Sequence, residues 1–427
     1  MKIGVIGSGI SGLSAALFLQ SKHEVTLYEK NDYLGGHANT INVNIKDKNY
    51  NVETGFIVLN DHNYPNFIEL LKYLNIKTNV SSMSFSVSAD QGNFEYSSSY
   101  VGLLSQSKNI IDPLYWSMLR DINYFYNNAT KDASQGPENE TLGDFLKRCN
   151  YSERFINYHI IPMAASIWSC PKKQIVNFPV KNLLNFFKNH KLLNLFDRPN
   201  WKTVVGGSQN YVRAISEKLS GPIHKGVKVK SIVKSDKGVR IYSNKGYKSF
   251  DCIVLACQAN ESYTLLRKNF PEHEAIFKNF SYQKNISIVH SDINYMPQRK
   301  SVWSSWNYIV NPENTQNLSI TYWMNKLQNI ESSQPIFVSL NPHKLPNPEL
   351  IYSQHSYFHP VFDNNAVNIQ KNLKKIQGQN NIWFCGAWTG YGFHEDGILS
   401  AINLAKTFDC FPPWLKKEKT EILYAAQ

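Results

Sequence analysis

The six cysteines of the sequence (Cys149, Cys170, Cys252, Cys257, Cys385 and Cys410) include no Cys-x-x-Cys pair, and no group of His, Cys, Asp or Glu stands at metal-ligand spacing. They read as reduced core or surface thiols of a reducing compartment, with no metal site. No serine or cysteine occupies a nucleophile elbow, so acyl-enzyme chemistry is not expected. No stretch approaches the ~18 uninterrupted apolar residues of a membrane-spanning helix. No helix-turn-helix, zinc-finger or RNA-binding signature is present, and nucleic acid is not expected as a partner. Charge is sparse at 18% and unbalanced, with 45 Lys and Arg against 33 Asp and Glu and a net charge of +12, which suits an anionic partner or surface. Lys2 and the small and apolar residues after it superficially resemble a secretory leader. Those residues have another use, given next, and the cytoplasm is the expected compartment.

The chain of 427 residues, 42% hydrophobic, has room for two domains or one large interleaved unit. Its most informative stretch is Lys2 to Glu29, which reads as strand, glycine turn, helix and second strand. Ile3 to Ile6 suits a buried parallel strand, and Gly7-Ser8-Gly9-Ile10-Ser11-Gly12 follows as GxGxxG. Leu13, Ala16, Leu17 and Gln20 are at helical spacing, and Glu24 to Tyr28 is a strand that delivers Glu29. Gly7 permits the tight turn, Gly9 lets backbone approach a pyrophosphate, and Gly12 lets helix and strand pack closely. The helix N-terminus then offers amides and a positive dipole end to phosphates. Glu29 is placed to accept hydrogen bonds from an unphosphorylated ribose. A GxGxxG set between strand and helix, with an acid at this distance, is a dinucleotide site.

Further along come Asn31-Asp32-Tyr33-Leu34-Gly35-Gly36-His37 and the strand Tyr50 to Phe56, reading YNVETGF. With GxGxxG and Glu29, these motifs resemble the FAD-binding amine oxidase and phytoene desaturase superfamily. The runs IWSCP, FFKNH, WKTVVGGSQNYV and GFHEDG are most similar to bacterial NAD/FAD-binding proteins described beside cyclopropane fatty acid synthases. The resemblance implies an α/β fold, a Rossmann-like FAD-binding domain interleaved with an α+β substrate domain. The FAD domain would comprise 1–85, 201–265 and 375–415, the substrate domain 86–200 and 266–374, and a surface tail 416–427. It implies FAD contacts from Gly7 to Gly12, Glu29, Lys30, Gly35, Gly36, His37, Gly55, Phe56 and Ile57. It adds Val229 at the adenine, Gly386 by the ribityl chain, and Asp396, Gly397 and Ile398 aiming helix-terminal amides at the flavin pyrimidine ring. Where members often carry arginine this chain has His37, and where they often carry an acid it has Trp388.

Residues 60 to 200 are aromatic and amphipathic, with helical periodicity in Tyr64 to Leu74 and Ile110 to Tyr126 and a helix start at Thr141 to Asp144. The segment Val180 to Phe196 fits a buried helix, the lining of an apolar tunnel, or contact with an anionic membrane. Gly226 to Val233 and Asp251 to Ala256 read as strands, and the short pieces of Ile286 to Tyr357 as an antiparallel sheet under the substrate. Its Trp303, Trp306, Tyr308, Tyr322 and Trp323 serve a core or an apolar pocket.

Among titratable groups, His394 is placed beside the flavin-facing turn and is the candidate acid or base, with Tyr391 as a second candidate. His290, His355 and His359 read as structural. Glu395 either pairs with His394 or caps its helix. The implied activity is FAD-dependent oxidation, isomerisation or oxygenation of a hydrophobic substrate, such as a lipid acyl chain. A flavin-dependent amine oxidase and a noncatalytic flavin-binding protein are the alternatives, and peripheral contact with an anionic membrane stays open.

Overall fold

A computed structural model describes residues 1–194, 199–236, 238–310 and 319–415. Among these residues, β1 (Lys2–Ile6), β2 (Glu24–Tyr28), β3 (Ile223–His224), β4 (Cys252–Leu255) and β5 (Ile382–Phe384) form a parallel sheet in the order β3-β2-β1-β4-β5. β1, β2 and β4 are apolar and almost wholly buried, as a sheet covered on both faces requires. Ile6 is in register with Tyr28 on one side and Leu255 on the other, so the carboxyl ends of the central strands open at one level. Helix α1 (Ile10–Leu19) is buried along its whole length, because α2 (His394–Thr407) packs against it. One apolar core, including Leu13, Phe18, Phe67, Tyr211 and Ile402, fills the space around these elements.

A second sheet of seven described strands runs in the order Ile351–Pro360, Tyr282–His290, Phe337–Leu340, Ile320–Trp323, Trp306–Ile309, Phe85–Ala89 and Phe94–Ser97. It is antiparallel except where Trp306–Ile309 runs parallel to Phe85–Ala89. The hairpin Phe85–Ser97 therefore joins strands more than 200 residues further on, and residue 85 opens a strand of this sheet. Helices Pro113–Ser134, Leu142–Arg148, Ile161–Trp168 and Val180–Asn189 share its core, with Phe125, Phe145, Phe155 and Phe187 fully buried.

Several boundaries differ from the sequence reading. The helix expected over Ile110 to Tyr126 is broken: Asp112 caps a fresh start by accepting from Leu114 N (2.9 Å), Pro113 is its first residue, and it runs to Ser134. The strand expected from Gly226 begins at Val229. In Val180–Asn189 the apolar residues Val180, Leu183, Leu184 and Phe187 recur at three- and four-residue spacing and are buried, while Lys181 and Lys188 lie on the other side. This is the buried-helix reading. Leu195, Phe196 and the tail 416–427 lie outside the described residues. Among the described residues no helix is long and apolar enough to cross a membrane.

Candidate active site

A cavity of about 980 Å³ opens at the carboxyl ends of the parallel strands and continues to the aromatic face of the seven-stranded sheet. Its first half is built by the glycine turn. Gly7 donates its N–H to Tyr28 O (2.8 Å) at φ +105°, a conformation that favours glycine. A Cβ on Gly12 would stand 1.9 Å from Gly7 O, so this glycine sets the contact between turn and helix. A Cβ on Gly9 would meet nothing within 4 Å, so the backbone there faces open cavity. Gly9 is also the N-cap of α1 and makes no side-chain cap, which leaves the first-turn amides available to a ligand. Gly35 N–H reaches back to Ser8 O (3.0 Å), and Gly36 lies against Gly9.

Glu29 is buried at the tip of β2. Its Oε2 accepts from Ser8 N (3.0 Å) and Ser8 Oγ (2.6 Å), and its Oε1 from Asn31 N (2.8 Å). These bonds fix the carboxylate while leaving lone pairs for ribose hydroxyls. Lys30, paired with Glu261, and Val229 between Lys228 and Lys230 complete this end of the wall.

The other half is apolar and aromatic. Phe56 and Ile57 line it, and the His394 ring is stacked on Phe56 with centroids 3.6 Å apart at 19°. His394 Nε2 is 2.8 Å from the Tyr211 hydroxyl. Burial, with a smaller effect from His37, pushes His394 down to about 3. Burial likewise takes His37 to about 4, opposed by a bond to the Phe358 backbone, and His359 to about 3. All three imidazoles on the wall are therefore neutral near pH 7. Trp306 and Tyr322 meet edge to face at 4.9 Å and 88°, and Ser166, Ile167 and Ser169 line the same cavity. Gly386, Trp388 and Phe393 close the wall, and behind Phe393 the Phe186 ring stacks at 5.0 Å.

Of the residues singled out from the sequence, Gly7 to Ser11, Glu29, Lys30, Gly35, Gly36, His37, Gly55, Phe56, Ile57, Val229, Gly386 and His394 all reach the cavity. Gly12 sits behind it. Asp396 is turned away: it caps α2 by accepting from Phe393 N (2.8 Å). Gly397 is where α2 touches Ile10 and Ser11, and Ile398 is core. Tyr391 is not on the wall either; its half-buried ring packs against Phe186 at 5.7 Å. Glu395 neither pairs with His394 nor caps its own helix. It accepts from Asn66 N (3.0 Å), Asn66 Nδ2 (2.6 Å) and Phe67 N (3.0 Å), and so caps Pro65–Tyr73. His290 belongs to a buried polar row with Ser339 (2.8 Å) and Thr321. His359 lies on the wall, as do Tyr357, Ser166 and Ser169. Ser169 falls within the IWSCP run and Ser166 beside it, whereas Tyr357 and His359 stand in no motif singled out from the sequence.

The residues fit FAD. Gly9 leaves open the room that a pyrophosphate would need, the first-turn amides of α1 would face it, Glu29 would accept from a ribose, and Phe56, His394 and Trp388 line the same cavity, where a planar ring system would lie. No group of three or more His, Cys, Asp or Glu that could hold a metal ion occurs among the described residues.

Comparison with known proteins agrees. Residues 10–290 match the family model described as flavin containing amine oxidoreductase. A stretch of 42 residues is 52% identical to 4,4'-diapophytoene desaturase (4,4'-diaponeurosporene-forming) of Staphylococcus aureus strain Newman, spanning 10% of this chain and only 8% of that protein. A CLA-producing fatty acid isomerase from P. acnes superposes with a TM-score of 0.68 at 16% identity, over 95% of this chain and 98% of the other. Cyclohexylamine oxidase from Brevibacterium oxydans IH-35A superposes at 0.65 and 13%, over 96% and 99%. At these identities the structures establish a shared fold and nothing of the substrate.

Proposed function

The chain belongs to the flavin containing amine oxidoreductase family and is an FAD-dependent oxidoreductase, and we propose that its substrate is a neutral, hydrophobic molecule, most simply a lipid acyl chain. One observation carries this reading: every formally charged side chain that the described residues place on the cavity wall (Glu29, Lys30, Lys228, Lys230 and Glu261) belongs to the nucleotide half. Among the described residues, the half formed by Phe56, Ile167, Trp306, Tyr322, Tyr357 and Phe393 has no carboxylate to balance a cationic amine. Burying an unpaired ammonium there would cost several kcal/mol, whereas an alkyl chain gains about 0.8 kcal/mol for each buried CH₂. The sequence resemblance to bacterial proteins described beside cyclopropane fatty acid synthases is in keeping with an acyl substrate.

FAD held in this cavity would supply an acceptor for a hydride or its equivalent from a substrate carbon. The chain's own residues hold the reactants and keep water out. Ser8 and Asn31 orient Glu29 for the ribose. Phe56 and Tyr211 fix the His394 ring between them, and its neutral state keeps uncompensated charge from the reacting carbon. Trp306 and Tyr322 present a rigid edge-to-face surface that orients an apolar chain.

The reading extends to where such a substrate is met, an anionic membrane surface. In its support, the stretch from Tyr100 to Trp116 exposes large apolar side chains: Tyr100 at 81%, Ile111 at 82%, and also Val101, Leu104, Leu114 and Trp116. The carboxylate within that stretch, Asp112, is bonded to Arg154 (2.5 Å), while Lys108 is exposed with no ion pair among the described residues. Arg154 stands in the first turn of the continuous helical run, Glu153 to Trp168, whose far end bears Ser166 and Ile167 on the cavity wall.

The test is anaerobic visible spectroscopy of the purified protein, titrated with a membrane-lipid extract and separately with a panel of amines. Bleaching of the oxidised flavin band by the lipid fraction alone is expected. Bleaching by amines alone would refute the neutral-substrate reading and leave the family assignment standing.

A further inference from the structure

The His359 ring is held by a chain of amides that ends on backbone. Asn341, just past the strand Phe337–Leu340, is gripped twice by Ile286: its N–H donates to Ile286 O, and its Oδ1 accepts from Ile286 N, both at 2.8 Å. A backbone N–H can only donate, so the oxygen of the Asn341 amide is identified by its partner. Its Nδ2 then donates to Asn285 Oδ1 (2.6 Å). The Asn285 amide is thereby oriented as well, and its Nδ2 faces His359 Nδ1 at 2.7 Å. An amide nitrogen has only hydrogens to offer, so Nδ1 is the bare, accepting nitrogen and the ring proton sits on Nε2.

That second nitrogen has a different environment. His359 Nε2 bonds to no described residue and is not sealed from the cavity, and the ring lies on the wall beside His37 and Tyr357. His37 differs: its Nε2 is buried without a partner among the described residues. The family motifs mark His37 and leave His359 unmarked, because the relay joins Tyr282–His290, Asn341 and Ile351–Pro360 across three segments of the sheet.

We infer that His359 is a fixed, uncharged hydrogen-bond donor into the cavity, its Nε2–H held available by the Ile286–Asn341–Asn285 relay for an acceptor atom of the bound flavin or of the substrate. The identity of that acceptor rests on the flavin reading; the tautomer does not. Burial keeps the ring uncharged across the physiological range. A donor that neither titrates nor rotates is preorganised, so its bond to an acceptor needs no rearrangement when the ligand arrives.

The test starts with nitrogen NMR of the protein carrying ¹⁵N-histidine, after its FAD content has been measured. His359 is expected to show a protonated Nε2 and a bare Nδ1 throughout pH 5–9. In Asn341→Asp, which keeps an acceptor for Ile286 N and removes the donor to Asn285, the two nitrogens should exchange roles. A wild-type His359 protonated at Nδ1, or an imidazolium at neutral pH, overturns the relay whether or not FAD is present. A protein lacking FAD would instead undo the functional reading alone. The second arm compares His359→Leu with His359→Gln, which retains a donor. If the acceptor is on the flavin, the leucine variant shifts the flavin's visible band and midpoint potential without any added ligand. If it is on the substrate, those stay put and binding of methyl oleate, a neutral lipid with an acceptor oxygen used as the probe, weakens about tenfold. In either case glutamine restores much of the loss, and a leucine variant that changes neither readout refutes the donor role.

Discussion

Glu395 follows His394 directly in sequence yet serves another element, because successive residues at a helix start point about 100° apart. His394 faces the cavity, and Glu395 faces the first turn of Pro65–Tyr73, whose own cap residue, Tyr64, offers no side-chain bond. Burial pushes its carboxyl up to about 7 from the ordinary 4.5, against the opposing pull of the Phe67 and Asn66 donors. A carboxyl that holds its proton more tightly folded than unfolded favours the fold most below the ordinary carboxylate range, and that contribution is lost as pH rises through about 7. Between these limits the group alone changes stability by at most about 1.4 kcal/mol per pH unit. Glu395→Gln keeps an acceptor and removes the proton, so its unfolding free energy, measured by denaturant titration at several pH values, should decline less than wild type from pH 5 to 7.5. Identical slopes would rule the mechanism out. The partners of Glu395 lie 329 and 328 residues away, which is why the sequence offers only its neighbours as candidates.

At the scale of elements, the β1-turn-α1-β2 unit separates two uses of glycine that the GxGxxG pattern cannot distinguish by itself. Gly12→Ala drives a methyl into Gly7 O, a backbone atom that cannot swing aside, and should cost at least about 1–3 kcal/mol of stability. Gly9→Ala meets nothing and should leave the unfolding midpoint close to wild type while sharply lowering flavin per polypeptide. Flavin content and thermal unfolding measured on both variants check this. Normal flavin loading in Gly9→Ala would remove the pyrophosphate from that place. The unit was legible because its signals are contiguous: a buried apolar run, turn glycines, helical spacing and an acid. Elements stabilised from afar were less so. The break at Asp112-Pro113 has local signals, a cap residue and a proline, that an amphipathic pattern running through them overrides. The hairpin Phe85–Ser97 had no comparable marker, since its pairing partner begins at Trp306.

For the whole molecule, the cavity exists only where the carboxyl ends of the parallel sheet meet the aromatic side of the second sheet. The exposed stretch Tyr100–Trp116 lies on the helical layer over that second sheet, and the membrane reading is tested there. The protein is expected to sediment with phosphatidylglycerol vesicles, less with phosphatidylcholine, and less as salt screens the basic surface. Ile111→Asp, at an 82% exposed position outside the cavity, should weaken binding about tenfold or more while retaining bound flavin. Unchanged vesicle binding in this variant would rule out that stretch as the contact.

The sequence by itself determined the nucleotide half of the protein: the cofactor class, the parallel sheet, and the glycine turn and Glu29 that reach the cavity. It could do so because those contacts are made by backbone and short side chains within one supersecondary unit, whose geometry follows from local sterics. Only the tertiary structure decided the rest of the site. Trp306, Tyr322, Ser166 and His359 each belong to a buried or half-buried element, and periodicity reports that an element is buried without reporting what lies opposite. The His359 tautomer depends on a backbone N–H at Ile286 and two amides, none of which has a signature until strand register brings them within 2.6 to 2.8 Å of their partners.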